Sequence, residues 1–478
     1  MTTTHPRRGL LRGGCALLAA VLAGLAAPAA EAHPRTGGIT RVSVGLDGAQ
    51  PDGASAALGL SADGRYALFS SDATNLVPGD TNGATDVFVR DLHTGRTQRV
   101  SVGADGAQLD APTTQASISG DGRFVTFNTK ATNVLPGHKA NSGGEVYLRD
   151  LRDGVTELIT AGDPAATGQD GRISRDAVAS WDGRFVAFSS SRTDLAPVGT
   201  FSKENIYVTD RREGTTRLVT LGVNGKPGNG DSYLPSISAD GRVIGFKSRA
   251  YNLLPAPTQT PAAPAAPGDH ADHADHADHA DHADHGDSPA ILGHASYPFY
   301  VFDQHTGVIS GASTDPAGQL ANTGLDATLS PDGQYAVYTL DAPGGPILNR
   351  HQELYTRDLR TGTVARVTTP LPGTTTVGSA GRGTMSYDDR WVYFVSDAGN
   401  LVPGVDGGRQ NVFRRDLATG AVELAGAAED GTASTGTSDN PYTDASGSAV
   451  LFTSEDGTLI PGDTNHASDV FLRRLLTH

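Results

Sequence analysis

One short phrase recurs along the chain: Ser-x-Asp-Gly-Arg, followed by an alternating apolar run with an aromatic at its centre. It appears as Ser61-Ala-Asp-Gly-Arg-Tyr-Ala-Leu-Phe69, Ser119-Gly-Asp-Gly-Arg-Phe-Val-Thr-Phe127, Ser180-Trp-Asp-Gly-Arg-Phe-Val-Ala-Phe188 and Ser238-Ala-Asp-Gly-Arg-Val-Ile-Gly-Phe246. Ser330-Pro-Asp-Gly-Gln-Tyr-Ala-Val-Tyr338 and Ser386-Tyr-Asp-Asp-Arg-Trp-Val-Tyr-Phe394 continue it, and Asp444-Ala-Ser-Gly-Ser-Ala-Val-Leu-Phe452 is a worn seventh copy. A unit repeated at a fixed period cannot bury its apolar face alone, so the chain must stack into a solenoid or close into a propeller.

Asp63, Asp121, Asp182 and Asp240 lie about 58 to 61 residues apart, and Asp332, Asp388 and Ser446 follow at similar intervals. The gap of 92 between Asp240 and Asp332 marks an insertion of about 34 residues in the fourth copy. Each copy reads as four strands. Asp-Gly between apolar runs is a hairpin signal linking the first two. A third also centres on an aromatic, as in Asp86-Val-Phe-Val-Arg-Asp91 and Glu145-Val-Tyr-Leu-Arg-Asp150. Turns such as Thr94-Gly95 and Thr361-Gly362 then lead to a fourth.

The last copy stops after its third strand, while Thr40-Arg-Val-Ser-Val44 matches the fourth strand Arg99-Val-Ser-Val102 and precedes any first. The expected fold is all-β: a seven-bladed β-propeller of four-stranded antiparallel blades, closed by the N-terminal strand pairing with the last blade. Closure removes the bare edges that an open stack would present.

Arg7, Arg8 and Arg12 precede an apolar run and the small-residue site Ala30-Glu-Ala32, so residues 1–32 read as a signal peptide. Arg7-Arg8 leaves both the general and the twin-arginine routes open. Arg12 stands where a lipobox has an apolar residue, which argues against a lipid anchor at Cys15. Cys15 is the only cysteine and leaves with the leader, so the mature chain holds no disulfide or thiolate site. A net charge of −16 argues against nucleic-acid binding. Residues 33–478 are expected to form one secreted or extracytoplasmic domain, monomeric and without a transmembrane anchor after cleavage.

These repeats resemble the WD40-like propeller repeat of the TolB type, over nearly the whole mature chain. The resemblance implies the fold; such propellers serve as binding platforms, assembly factors, or parts of hydrolases and lyases.

In a four-stranded blade both short turns emerge on one face, so all the long loops share the other, where binding is expected. Two of those loops, with Asp80, Asn82 and Asp86 and with Asp463, Asn465 and Asp469, space their oxygens as calcium loops do. The same residues also suit Asx-turns capping the next strand. The insertion, at about 255–290, begins Pro/Ala-rich and continues as an Asp-His-Ala repeat. It carries His270, His273, His276, His279, His282 and His285, alternating with Asp269, Asp272, Asp275, Asp278, Asp281, Asp284 and Asp287. Imidazole with carboxylate suits Zn²⁺, Ni²⁺ or Cu²⁺, bound loosely because nothing pre-organises the ligands.

No nucleophile elbow or His-Glu-x-x-His motif occurs, so no catalytic residue is assigned. The leading expectation is a non-enzymatic scaffold that binds a protein, glycan or cell-envelope ligand on its long-loop face. The alternative is a polysaccharide lyase or hydrolase using a metal there.

Overall fold

The computed structural model describes residues 36–476 except 201–202, 256–296, 325, 343–350 and 376. The leader and the whole His/Asp tract therefore lie outside the described residues. Seven antiparallel sheets follow in sequence order. Blade 1 runs outward through Ser55–Leu60, Tyr66–Ser71, Asp86–Asp91 and Arg96–Arg99. The first strands of successive blades touch one another around a central axis. Those of blades 3 to 7 are Ser174–Ala179, Ser232–Ile237, Ala327–Leu329, Ala380–Met385 and Ser438–Thr443. Blade 4 gains a fifth, two-residue strand, Asn322–Thr323.

Blade 7 is completed from the other end of the chain. Its third strand, Asp469–Leu475, pairs antiparallel with Thr36–Arg41, placing Ile39 opposite Arg473 and Arg41 opposite Phe471. The ladder begins four residues before the expected Thr40–Val44 and ends three residues before it, at Arg41. Val42 N donates once more, to Val470 O at 2.7 Å, and the chain then turns away. The cause is local. Ser43 Oγ bonds Asp469 Oδ1 at 2.7 Å, and in blade 1 Ser101 Oγ bonds Asp86 Oδ1 at 2.6 Å, so these buried hydroxyls pull the backbone out of the sheet.

Each blade's core is an aromatic pair facing across the second and third strands. Phe69 lies opposite Phe88 with ring centroids 5.7 Å apart, and the other six copies repeat the pairing. Direct cross-strand neighbours are where β side chains gain most from contact.

The repeated phrase builds the turn. Ser61 Oγ donates to Asp63 Oδ1 at 2.6 Å and accepts from Tyr66 N at 2.8 Å, while Asp63 Oδ1 also accepts from Arg65 N at 3.0 Å. Arg65 then pairs with Asp91 at 2.7 Å, tying the first hairpin turn to the second. The pairs Arg123–Asp150, Arg184–Asp210, Arg242–Asp303 and Arg390–Asp416 repeat this. Blade 7 keeps the turn with its partners exchanged. Asp444 occupies the serine position and Ser446 the aspartate position, and Ser446 Oγ donates to Asp444 Oδ2 at 3.1 Å. There Ser448 replaces the arginine and Arg474 the distal aspartate, so both charges of that pair are gone together.

The x residue of the phrase stitches neighbouring blades. Ala62 N donates to Gly120 O, Asp121 N to Trp181 O, Trp181 N to Ala239 O, Ala239 N to Pro331 O, Tyr387 N to Ala445 O and Ala445 N to Ala62 O. Between blades 5 and 6 the ring of bonds is broken, because Pro331 has no amide hydrogen to give.

If Thr36–Arg41 closes the ring, a chain starting at residue 45 exposes the bare edge of Asp469–Leu475. Compared with a chain starting at residue 34, it is expected to melt several degrees lower and to elute as aggregate in size-exclusion chromatography.

Candidate functional site

The hydrogen-bonded turns close the channel at one end. Trp181 of blade 3 and Tyr387 of blade 6 come from opposite sides of the ring, yet their rings meet edge to face at 5.1 Å. They span the axis on the short-turn face. A side chain at Gly120 would collide with them, since a Cβ there would lie 2.5 Å from Trp181 and 2.9 Å from the Tyr387 hydroxyl.

At the long-loop end the inner strands are bent by bulges. Asp176, Leu234, Arg382 and Asn440 occupy the left-handed region with φ of 55°, 52°, 47° and 53°, each at the point where pairing with the second strand slips. Such backbone costs about 1–3 kcal/mol for a residue with a Cβ and concentrates at functional sites. Two of these residues carry charges into a network spanning several blades. Arg175 forks onto Glu204 with bonds of 2.8 and 2.9 Å. Ser189 Oγ bridges Asp176 Oδ2 at 3.2 Å and Glu204 Oε1 at 3.4 Å. Asp326 of blade 5 accepts Arg382 N of blade 6 at 2.9 Å, and the Arg382 side chain pairs with Asp439 of blade 7 at 2.9 Å. Lys247, 1% exposed, donates to Gly324 O. Tyr233 and Tyr297 meet edge to face at 6.2 Å, with Arg249 over Tyr297.

The electrostatics differ from group to group. Burial raises the Asp176 carboxyl, Arg175 opposes the rise and the charge of Glu204 adds to it. Burial likewise raises Asp439 against the pull of Arg382, and brings the Lys247 amine down to about 8 against the pull of Asp326. The mouth thus offers half-exposed guanidiniums, a buried carboxyl beside an arginine-bound carboxylate, and tyrosine rings. It can grip a polar ligand or move a proton.

The calcium-like loops contain a different cation. Arg99 lies 2.8 Å from Asp80 and 3.2 Å from Asp86, and Arg41 lies 2.8 Å from Asp463 and 3.2 Å from Asp469. These are ion pairs of close charge without well-aligned hydrogen bonds. Asn82 and Asn465 each donate to the neighbouring aspartate at 3.1 Å. With a guanidinium between the carboxylates and the amides serving as donors, these residues do not fit Ca²⁺. Among the described residues no group of three or more His, Cys, Asp or Glu is arranged to hold a metal. The rule extends to other blades: Glu145 and Glu353, at the same strand position, face His138 at 2.7 Å and Arg366 at 2.6 Å. His270, His273, His276, His279, His282 and His285, with Asp272, Asp275, Asp278, Asp281 and Asp284, lie outside the described residues.

A concavity of about 860 Å³ lies elsewhere, on the short-turn face between blades 3 and 4, lined by Asp210, Glu213, Arg242 and His305 among others. Its Arg242 and Asp210 belong to the turn-bracing pairs that recur in other blades, so it carries less chemistry than the mouth.

The short-turn face holds one more irregularity. Where the other six copies place glycine, blade 6 has Asp389 with φ 56°, at the seam beside Pro331. Burial pushes its carboxyl up to about 7, helped by a hydrogen bond with Asp332 and by the charges of Asp332 and Asp388.

The fold is shared with solved structures, and at low identity. The chain matches oligogalacturonate lyase from Vibrio parahaemolyticus with TM-score 0.52 and 11% identity, covering 92% of this chain and 96% of that one. It matches the β-propeller domain of the Trilobed protease from Pyrococcus furiosus with TM-score 0.49 and 13% identity, covering 89% and 96%. TolB from Acinetobacter baumannii matches with TM-score 0.37 and 15% identity, covering 86% and 81%. These likenesses speak to the fold alone: the chain is a seven-bladed β-propeller. No family model and no curated protein matches it.

Two outcomes follow. Arg99→Ala leaves Asp86 buried without its cation and is expected to cost about 3–5 kcal/mol in urea unfolding, with no recovery on adding Ca²⁺. For Asp389, the folded state holds a proton that the unfolded chain, with its ordinary value of 3.8, has released. Its contribution is therefore fully present below pH 3.8 and is lost as pH rises through about 7. Asp389→Gly is expected to raise Tm at pH 8 more than at pH 4, since it removes both the carboxylate and the backbone strain.

Proposed function

We propose that the protein is an exported, non-enzymatic binding propeller that takes a protein or cell-envelope glycan ligand at the long-loop mouth of its channel. The supporting observation is the gathering of four strained, non-glycine residues and a cross-blade ion pair, Arg382–Asp439, at that mouth, opposite an end closed by Trp181 and Tyr387. Export rests on the leader-like residues 1–32. No helix among the described residues is long and apolar enough to cross a membrane. The His/Asp tract adds loose, multi-site binding of Zn²⁺, Ni²⁺ or Cu²⁺ in this reading.

A polysaccharide lyase or hydrolase is the second reading, favoured by one feature: Asp176 and Glu204 share Ser189, and burial raises the Asp176 carboxyl. Such a pair suits proton transfer.

The Arg175→Ala/Arg382→Ala double variant should lose about tenfold or more in capture of envelope components, equivalent to ~1.4 kcal/mol. Arg65→Ala, on the opposite face, should capture as wild type does. Equal capture by both variants would falsify the assignment to the mouth. A glycan panel on which wild type acts and Asp176→Asn does not would instead establish the enzyme. Calorimetric titration with Zn²⁺ should show uptake that disappears when residues 269–287 are deleted.

A further inference from the structure

The interface between blades 6 and 7 buries a charge without a counter-ion. Arg473, in the third strand of blade 7, is 0% exposed, and its Nε, Nη1 and Nη2 have no hydrogen-bond partner among the described residues. The unbonded Nε and Nη2 of Arg41 and of Arg99 have carboxylates within 3.2 Å; no such ion pair reaches Arg473 among the described residues. The exposed Asp430 acts on it only through space.

Its neighbours explain the isolation. The equivalent arginines of blades 5 and 6 reach back to the preceding blade, Arg357 to Gly311 O at 2.7 Å and Arg415 to Val367 O at 2.9 Å. At the position that Arg414 holds in blade 6, those preceding blades have the uncharged Val301 and Thr356. Arg473 instead feels the charge of Arg414 of blade 6, which reaches the same end of the chain at Leu476 O. That second guanidinium is itself buried, fully engaged with Glu423 at 2.9 and 2.8 Å and with Gly447 O and Leu476 O at 3.0 Å, and it lies 4.0 Å over Trp391. Burial first, and then the charge of Arg414, lowers Arg473 to about 10, which leaves it protonated at neutral pH. A fully buried cation with no hydrogen-bond partner is among the most costly arrangements a core can hold, and native structures relieve it with an ion or ordered water.

We propose that this interface is a binding site for a small monovalent anion, of chloride or formate size, held by Arg473 beside Arg414. Two guanidiniums against the single carboxylate of Glu423 leave one net positive charge, which selects a monovalent ion over sulfate or phosphate. The anion joins the two blades next to the closing strand and stabilises the ring increasingly, as the logarithm of its concentration once that exceeds the Kd.

Crystals soaked in bromide should show an anomalous peak at the Arg473 guanidinium. At constant ionic strength, replacing gluconate with chloride should raise the wild-type Tm by several degrees and leave Arg473→Met unmoved. A wild-type interface without bromide, holding water alone, overturns the proposal, as does an equal chloride response in Arg473→Met. Should that variant fail to fold, the bromide experiment on wild type decides the matter.

Discussion

The ring depends on closure between segments more than 400 residues apart in sequence. Each blade presents an apolar face that only the next blade can cover, so the stack remains incomplete until the seventh blade meets the first. The outer strand Thr36–Arg41 supplies that junction with backbone pairing, and it brings Arg41 to the carboxylates of Asp463 and Asp469. The same contact therefore completes a sheet and neutralises two buried acids. Seven inner strands held in a closed circle then define a channel whose two ends are chemically unlike.

The unlikeness follows from strand direction. Every short turn lies on one face, where the x residues of the repeated phrase bond from blade to blade and two aromatic rings cross the axis. The described long connections lie on the other, where inner strands enter the sheet and can bulge without disturbing the turns. Bulges at Asp176, Leu234, Arg382 and Asn440 strain the backbone on that side. A scaffold that is rigid at one end can hold strained, charged residues at the other, because the surrounding strands over-determine their positions.

The parts of the fold legible in sequence are those written within a single repeat. Phe69 and Phe88 are 19 residues apart and recur as a pair, so their stacking could be anticipated from periodicity. The Ser61–Asp63–Arg65 turn was legible for the same reason. The exchange of roles between Asp444 and Ser446 was not, since substitution at both positions reads as decay until the hydrogen bond between them is seen. The aspartates of the calcium-like loops were visible, but their cations were not. Arg99 lies in a later strand and Arg41 in a segment from the opposite end, and neither spacing resembles a motif.

By itself the sequence determined the number of blades, their strand order, the aromatics at the centres of the second and third strands and the need for circular closure, because periodic patterns encode local pairing and apolar burial directly. Only the tertiary structure decided which end of the channel is blocked, which residues gather at its mouth, and which acids already have a cation. Those features are assembled from single residues of different blades. Their proximity is a product of ring geometry, so no linear spacing records it.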